Sequence, residues 1–472
     1  MNLLNQNIYN NSKDKVRTLP VLLQFYSKTR PKQIAIRQKR FGIWNEVTWE
    51  EYEKEASNFG SALLALGLKK GENVAILSEN RKEWLISELG MHLVGIVPVG
   101  VYPTSPSNEI LHILLSTDIK AIICEDQEQV DKVLKIKNSL PLLKKIIYID
   151  KKGLNSYELD KLMYWVDFLE EGIKQLNINP DTISNCMKNH SENDIALIVP
   201  TSGSTGLPKP AMISFKNIYF IGCASEKVFK RSKSDNVLSY LPLCHVAEQL
   251  FSVFNAMHSG YTANFGESIR TIQQDLRDIG PTIFLGVPRI WQKIQSDILI
   301  QSKKKNLQSF ILRNAINASR QFNDPWIKLN IFLRLKKYFW ELVALRHVRN
   351  GIGLTKCRMA ISGAAPISQE TLKFFRGLGL PIMEGFGMTE TSGACTIQLI
   401  DKHSEGAIGF PFDGVELKTA EDGELLIKGD CVFVGYYKDK ESTDQSIKDG
   451  WLYTGDIAKV FNDGSASIID RK

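Results

Sequence analysis

Apolar and polar positions alternate between two periods along the first third of the chain. Thr48-Trp49-Glu50-Glu51 has the pattern of a capping box, and the spacing after it predicts a helix ending near Gly67. NVAILS (73–78) reads as a buried strand, followed by a helical pattern through Trp84 and Leu89. Ser107 is the expected N-cap for NEILHILLS, and KAIIC (120–124) is the next expected strand. Strands alternating with helices imply a mostly parallel sheet covered by helices. The rhythm resumes at DIALIVP (194–200) and RMAISG (358–363). Past residue 410 the texture changes: VELKTAEDGELLIKG and AKVFNDGSASIID each set Asp-Gly between short alternating runs, the mark of antiparallel hairpins. Boundaries are expected near 185–193 and 400–412, with a helical insertion at about 296–350.

Composition narrows the class. At 472 residues, 43% hydrophobic and 24% charged, the chain suits a globular protein of two to four subdomains. No apolar run reaches membrane-spanning length, and the polar N-terminus lacks the apolar core of a secretory signal. Seven scattered cysteines without a C-x-x-C pair fit a reduced, cytoplasmic chain. The net charge of +7 is uneven: residues 303–349 hold eleven Lys/Arg against Asp324 and Glu341, so the remainder sums to about −2. That excludes a uniformly basic nucleic-acid binder. The stretch WIKLNIFLRLKKYFWELVALRHVRN combines helical apolar spacing with basic residues, either a solvated helix face or a surface for peripheral contact with anionic lipid.

The chemistry concentrates in TSGSTGLPKP (201–210), which joins two expected strands. A Walker loop would instead open a helix. Gly203 and Gly206 can turn successive N–H groups into one concavity, Thr201, Ser202, Ser204 and Thr205 add hydroxyls, and Lys209 adds charge. An anionic, phosphate-like ligand follows.

This loop resembles the phosphate-binding loop of the adenylate-forming superfamily, which includes acyl-CoA synthetases. Positions 201–209 match the family pattern, whereas Pro210 replaces its usual glycine, which stiffens the loop and pushes Lys209 toward an extended conformation. Three further segments carry the likeness. SGAAPIS (362–368) corresponds to the family's adenine-bordering turn, with Gly363, Ala364 and Ala365 letting a flat base approach and Ser368 capping the next helix. MEGFGMTE (383–390) supplies Glu384, Gly385, Phe386, Gly387, Met388, Thr389 and Glu390: Phe386 would stack on a purine, Thr389 would donate to phosphate, and Glu390 would hold magnesium. YTGD and DRK offer Asp456 and Arg471 for the ribose. LPLCHVAEQ and FLGVPRIWQKI look like acyl-pocket segments, with His245 (a wall or gate, or a satisfied core histidine), Val246, Gly286 and Arg289. The GVPR motif and the insertion look most like the long-chain acyl-CoA synthetases.

The resemblance implies an α/β fold of two helix-flanked, largely parallel sheets packed together plus a small antiparallel β-barrel. The expected subdomains are 1–190, 191–400 and 401–472. It also implies ATP, Mg2+ and coenzyme A as co-substrates and cofactor, and a fatty acid of long or medium chain as the acid. The carboxylate would attack the α-phosphate, with Thr201, Lys209, Thr389 and Glu390 carrying the catalysis, and coenzyme A would then take the acyl group. Transfer to a carrier protein and a non-catalytic nucleotide- or acyl-binding module remain the alternatives. The family has a small domain after the position of Lys472, so these residues alone are expected to bind but turn over poorly.

Overall fold

The computed structural model describes residues 17–157, 160–201, 206–319, 321, 330–399 and 406–472. The loop residues Ser202, Gly203, Ser204 and Thr205 lie outside the described residues.

Three sheets organise the chain. The first has eight strands, in the order Gly435–Tyr436, Lys209–Ser214, Ile195–Thr201, Val97–Val101, Asn73–Leu77, Ala121–Cys124, Lys145–Tyr148 and Leu162–Tyr164. It is parallel from Ile195–Thr201 onward and antiparallel at the other edge. Helices cover both faces, so Asn73–Leu77 is buried at every position, which is why it reads as an unbroken apolar run. The second sheet has nine strands, from Phe410–Pro411 through Thr396–Ile397, Ile382–Phe386, Met359–Ser362, Ile283–Leu285, Asn236–Ser239 and Thr262–Phe265 to Ile34–Arg40 and Ile43–Thr48. The third is antiparallel and five-stranded, built on Glu424–Lys428 and the long strand Trp451–Val460, which also pairs Ala466–Arg471. Both Asp-Gly hairpins fall in it as the alternation implies.

The sheets cross the boundaries expected from sequence. Ile34–Thr48 joins the second sheet, while Ile195–Ser214 and Gly435–Tyr436 join the first. A sequential cut assumes contiguous sheets, and here edge strands are exchanged between segments.

Local signals explain the helix ends. Thr48 Oγ1 accepts from Glu51 N–H and the Glu51 carboxylate accepts from Thr48 N–H, a complete capping box opening Trp49–Ala65. Ser368 caps Gln369–Gly377 as expected. Ser107 does not cap its helix. Pro106 occupies the N-cap with φ −72° and ψ 159°, its ring presetting the φ, and Ser107 becomes the first helical residue.

The insertion is helical, with Pro288–Ser302, Leu307–Ser319, Ile331–Trp340 and Arg346–Gly351. The first anchors through Trp291, which packs edge-on against Phe284 and Phe375. The third buries none of its residues among the described ones. Ile331, Phe332, Leu335, Tyr338 and Phe339, followed by Leu342 and Val343, are all exposed and share one helical stripe. No helix of the described residues is long and apolar enough to cross a membrane.

Candidate active site

The hairpin that carries the loop sets the site. Thr201 pairs with Lys209 and Pro200 with Pro210, and Thr201 Oγ1 donates to the Lys209 carbonyl at 3.2 Å. Lys209 is thus the first residue of a strand, extended as a residue before proline should be. On the outer side of this hairpin, Gly435–Tyr436 adds an edge strand, with Tyr436 opposite Ala211. Tyr436 then becomes a hub. Lys209 Nζ sits 5.6 Å from its ring centroid and donates to Ser442 Oγ at 2.8 Å. The Tyr436 hydroxyl donates to Glu390 Oε1 at 2.7 Å. Lys209 and Glu390, 181 positions apart by number, therefore meet around one aromatic ring.

A cavity of about 1200 Å³ opens beside this hub. Its polar side is bordered by Thr201, Lys209, Gly363, Ala364, Thr389 and Glu390. Glu390 is only 7% exposed. Ala364 holds φ +66°, a left-handed conformation uncommon for a residue with a β-carbon. Gly385, Gly387 and Met388 also line it. A β-carbon on Gly387 would fall 2.5 Å from Ala394 Cα, so only glycine fits between the cavity and that turn. A further wall comes from the third sheet, with Tyr453, Gly455, Arg471 and Lys472.

Several expected residues stand elsewhere. Glu384 and Phe386 alternate with the lining residues Gly385 and Gly387, and neither borders the cavity. Period-two alternation forces this once the glycines face inward. Phe386 instead packs against the core. Burial raises the Glu384 carboxyl to about 7, with Arg376 opposing, and its Oε2 has no hydrogen-bond partner among the described residues. Ala365 is exposed without bordering the cavity. Asp456 does not border it either. Arg471 does, its Nε 3.6 Å from Asp456 Oδ1, and burial raises the Asp456 carboxyl. Gly206 has φ +128°, where glycine costs little.

The other arm of the cavity is apolar. His245 and Val246 line it. His245 caps the helix that follows, its Nδ1 accepting from Ala247 N–H at 3.1 Å, and burial lowers its pKa, so it stays neutral at pH 7. Gly286 and Arg289 do not line the arm; their neighbours Leu285 and Val287 do. Gly286 lies against Trp291, and Arg289 points outward from the first turn of its helix.

Sequence reasoning missed Tyr436, Ser442 and Lys472. Lys472 Nζ donates to Glu424 Oε2 at 2.8 Å and to Asp422 Oδ2 at 2.5 Å, closing the third-sheet wall. Tyr436 had one weak local signal, the Gly-Tyr-Tyr run at 435–437. Its partners are too distant in sequence to be inferred.

Comparison with known proteins places these features in context. The family model described as AMP-binding enzyme matches residues 23–437. A long-chain-fatty-acid–CoA ligase ACSBG2 of Xenopus laevis is 29% identical over 452 residues, covering 93% of this chain. The long-chain-fatty-acid–CoA ligase FadD15 of Mycobacterium tuberculosis is 30% identical over 436 residues, covering 91% of the chain. The chain spans 60% of the first relative's length and 70% of the second's. Among solved structures, a putative long-chain-fatty-acid CoA ligase from Rhodopseudomonas palustris superposes with TM-score 0.73 at 18% identity, covering 96% of this chain and 99% of that one. The anthranilate CoA ligase AuaEII, in complex with anthranoyl-AMP, gives TM-score 0.73 at 20% identity, covering 96% and 78%. At those identities the superpositions establish the shared two-sheet fold.

Proposed function

The chain belongs to the AMP-binding enzyme family, and from that premise we propose that it activates a fatty acid of long or medium chain as an acyl adenylate, for transfer to coenzyme A. One observation carries the reading: a single cavity joins a polar arm holding Lys209, Thr389 and Glu390 to an apolar arm behind His245. A nucleotide suits the first arm and an alkyl tail the second, so their reactive ends would meet between.

The chemistry follows from charge. A carboxylate oxygen attacks the α-phosphorus of ATP, the bond from that phosphorus to the bridging oxygen breaks, and pyrophosphate leaves. Anion meets anion, so the site must align and neutralise them. Lys209 supplies a cation toward the departing phosphates and Thr389 a hydroxyl donor. The acid is ionised at pH 7, so no base is required. His245 is a wall of the arm, which fits its neutral state. In the second step the thiol sulfur attacks the acyl carbon, AMP leaves, and the thiol proton is released.

Magnesium fits the residues present. Glu390 is a buried hard-oxygen ligand on the cavity wall, one oxygen already fixed by Tyr436, and magnesium favours one or two carboxylates plus phosphates over an all-protein cage. When bound, the ion neutralises charge on the phosphates. Arg471, with Asp456 behind it, is the candidate contact for the ribose.

Calorimetry with ATP and a panel of fatty acids, alongside acid-dependent exchange of pyrophosphate into ATP, tests the reading. Lys209→Met should weaken ATP binding roughly tenfold or more, the scale of a charge-assisted contact. Absence of ATP binding, or binding indifferent to Lys209, refutes it. Acyl transfer to a pantetheine-bearing carrier and not to coenzyme A would favour the alternative acceptor.

We propose further that the helical insertion makes peripheral contact with an anionic bilayer. The exposed stripe from Ile331 to Val343 is flanked by Arg334, Lys336 and Lys337. Phe332→Ser with Phe339→Ser should abolish co-sedimentation with phosphatidylserine vesicles. Sedimentation unchanged by the pair, or independent of lipid charge, overturns this assignment.

A further inference from the structure

The apolar arm is bordered by polar groups that the chemistry above leaves unused. One wall is a continuous helical segment, 246–259, descending from His245. Val246, Leu250 and Phe251 line the cavity in turn, and then Asn255, nine residues beyond Val246 along the same helical segment. The opposite helix, Phe215–Phe229, contributes Ser225 at the same depth.

These two are built into a network. Asn255 is 1% exposed and Ser225 2%. Ser225 Oγ lies 3.1 Å from Asn255 Oδ1, donates to the Ile221 carbonyl at 2.6 Å, and accepts from Arg231 Nη1 at 2.8 Å. Arg231 is itself 4% exposed, its Nε donating to Ser259 Oγ at 3.0 Å and its Nη2 to the Gly222 carbonyl at 2.9 Å. Asn255 Nδ2 meets no acceptor among the described residues, although the side chain borders the cavity. A hydrocarbon terminus arriving here would leave that amide dry and unsatisfied. An oxygen arriving here would accept from it, with the guanidinium behind favouring the same polarity.

We propose that the stretch of the arm at Asn255 is a subsite for a carboxylic acid bearing a hydrogen-bond-accepting oxygen at its far end, held by Asn255 with Ser225 and Arg231 behind. This rests on the acyl-adenylating reading and names its substrate class: ω-oxygenated acids of the length that reaches Asn255, in preference to plain acids of that length.

Calorimetric titration of the AMP-saturated chain tests the subsite without turnover, using straight monocarboxylic acids of graded length and the ω-hydroxy analogue of each. At the matching length the ω-hydroxy acid should bind roughly tenfold more tightly, the scale of one buried donor satisfied. Asn255→Leu should erase that preference and tighten binding of the plain acid. Equal affinity of the paired acids at every length overturns the subsite while leaving the acyl reading intact. So does a preference that survives in Asn255→Leu. If no acid of either series binds, the acyl reading itself falls and takes the subsite with it. The wild-type comparison needs no variant, so misfolding of Asn255→Leu does not shelter the proposal.

Discussion

Replacing Tyr436 with phenylalanine isolates a single hydroxyl at the centre of the site. The ring remains beneath Lys209 Nζ, 5.6 Å away, so that contact is kept. What disappears is the 2.7 Å donation to Glu390 Oε1. Glu390 is 7% exposed, so water replaces the lost donor poorly. A hydrogen bond to a charged group is worth roughly 1.5–3 kcal/mol, which corresponds to about ten- to a hundredfold in affinity. If Tyr436 orients the carboxylate for magnesium, the loss must fall on magnesium-dependent binding alone. ATP titrated calorimetrically with Mg2+ should therefore bind Tyr436→Phe about ten- to a hundredfold more weakly than wild type. Titrated without Mg2+, the two proteins should agree within about twofold. Equal weakening in both conditions would mean that Tyr436 only shapes the pocket. No weakening in either would mean that the hydrogen bond is given up when nucleotide enters.

Further expectations follow from other contacts. Ser442→Ala frees Lys209 Nζ from its 2.8 Å partner, and ATP affinity should hold within about twofold; a tenfold loss would show that Ser442 positions the lysine. Gly409 has φ +95°, and a β-carbon there would lie 2.1 Å from the Ile397 carbonyl carbon, so Gly409→Ala should lower urea-unfolding stability by at least about 2 kcal/mol. Glu88 is fully enclosed, accepts from Trp84 Nε1 and Gln249 Nε2, and is raised to about 7 by desolvation. Between its ordinary value of 4.5 and about 7 the native state holds the proton that the unfolded state releases, so this group costs stability as pH rises through that window. Glu88→Gln should gain on wild type by up to about 3 kcal/mol between pH 5 and pH 8, and parallel urea midpoints at the two pH values would contradict it.

What the sequence revealed was local. The Thr48–Glu51 capping box, the Asp-Gly hairpins and the buried strand at 73–77 each depend on residues within a few positions. The loop hairpin was legible from its own residues, whereas Glu390 was singled out only through the family resemblance of its motif. Phe386 and Glu384 were read as nucleotide contacts from a motif, which lists residues without their strand parity, whereas Gly385 and Gly387 are the members of that run that border the cavity. Arg289 was read as pocket through the GVPR motif, whereas it is exposed in the first turn of its helix and its neighbours Leu285 and Val287 border the arm. Tyr436 and Asn255 were invisible. One acquires its role by pairing with a strand more than two hundred positions earlier, the other by its depth along a helix.

The exchange of edge strands between the sheets has a price in time. Ile36 pairs with Ala263, so more than two hundred residues must leave the ribosome before Ile34–Arg40 finds its parallel neighbour. At typical synthesis rates that wait is on the order of ten to fifty seconds. Throughout it, one hairpin edge with buried-type residues Ala35 and Ile36 stands open to other nascent chains. Slowed translation between residues 48 and 262 should therefore increase aggregation, and a holdase acting early in synthesis should relieve it.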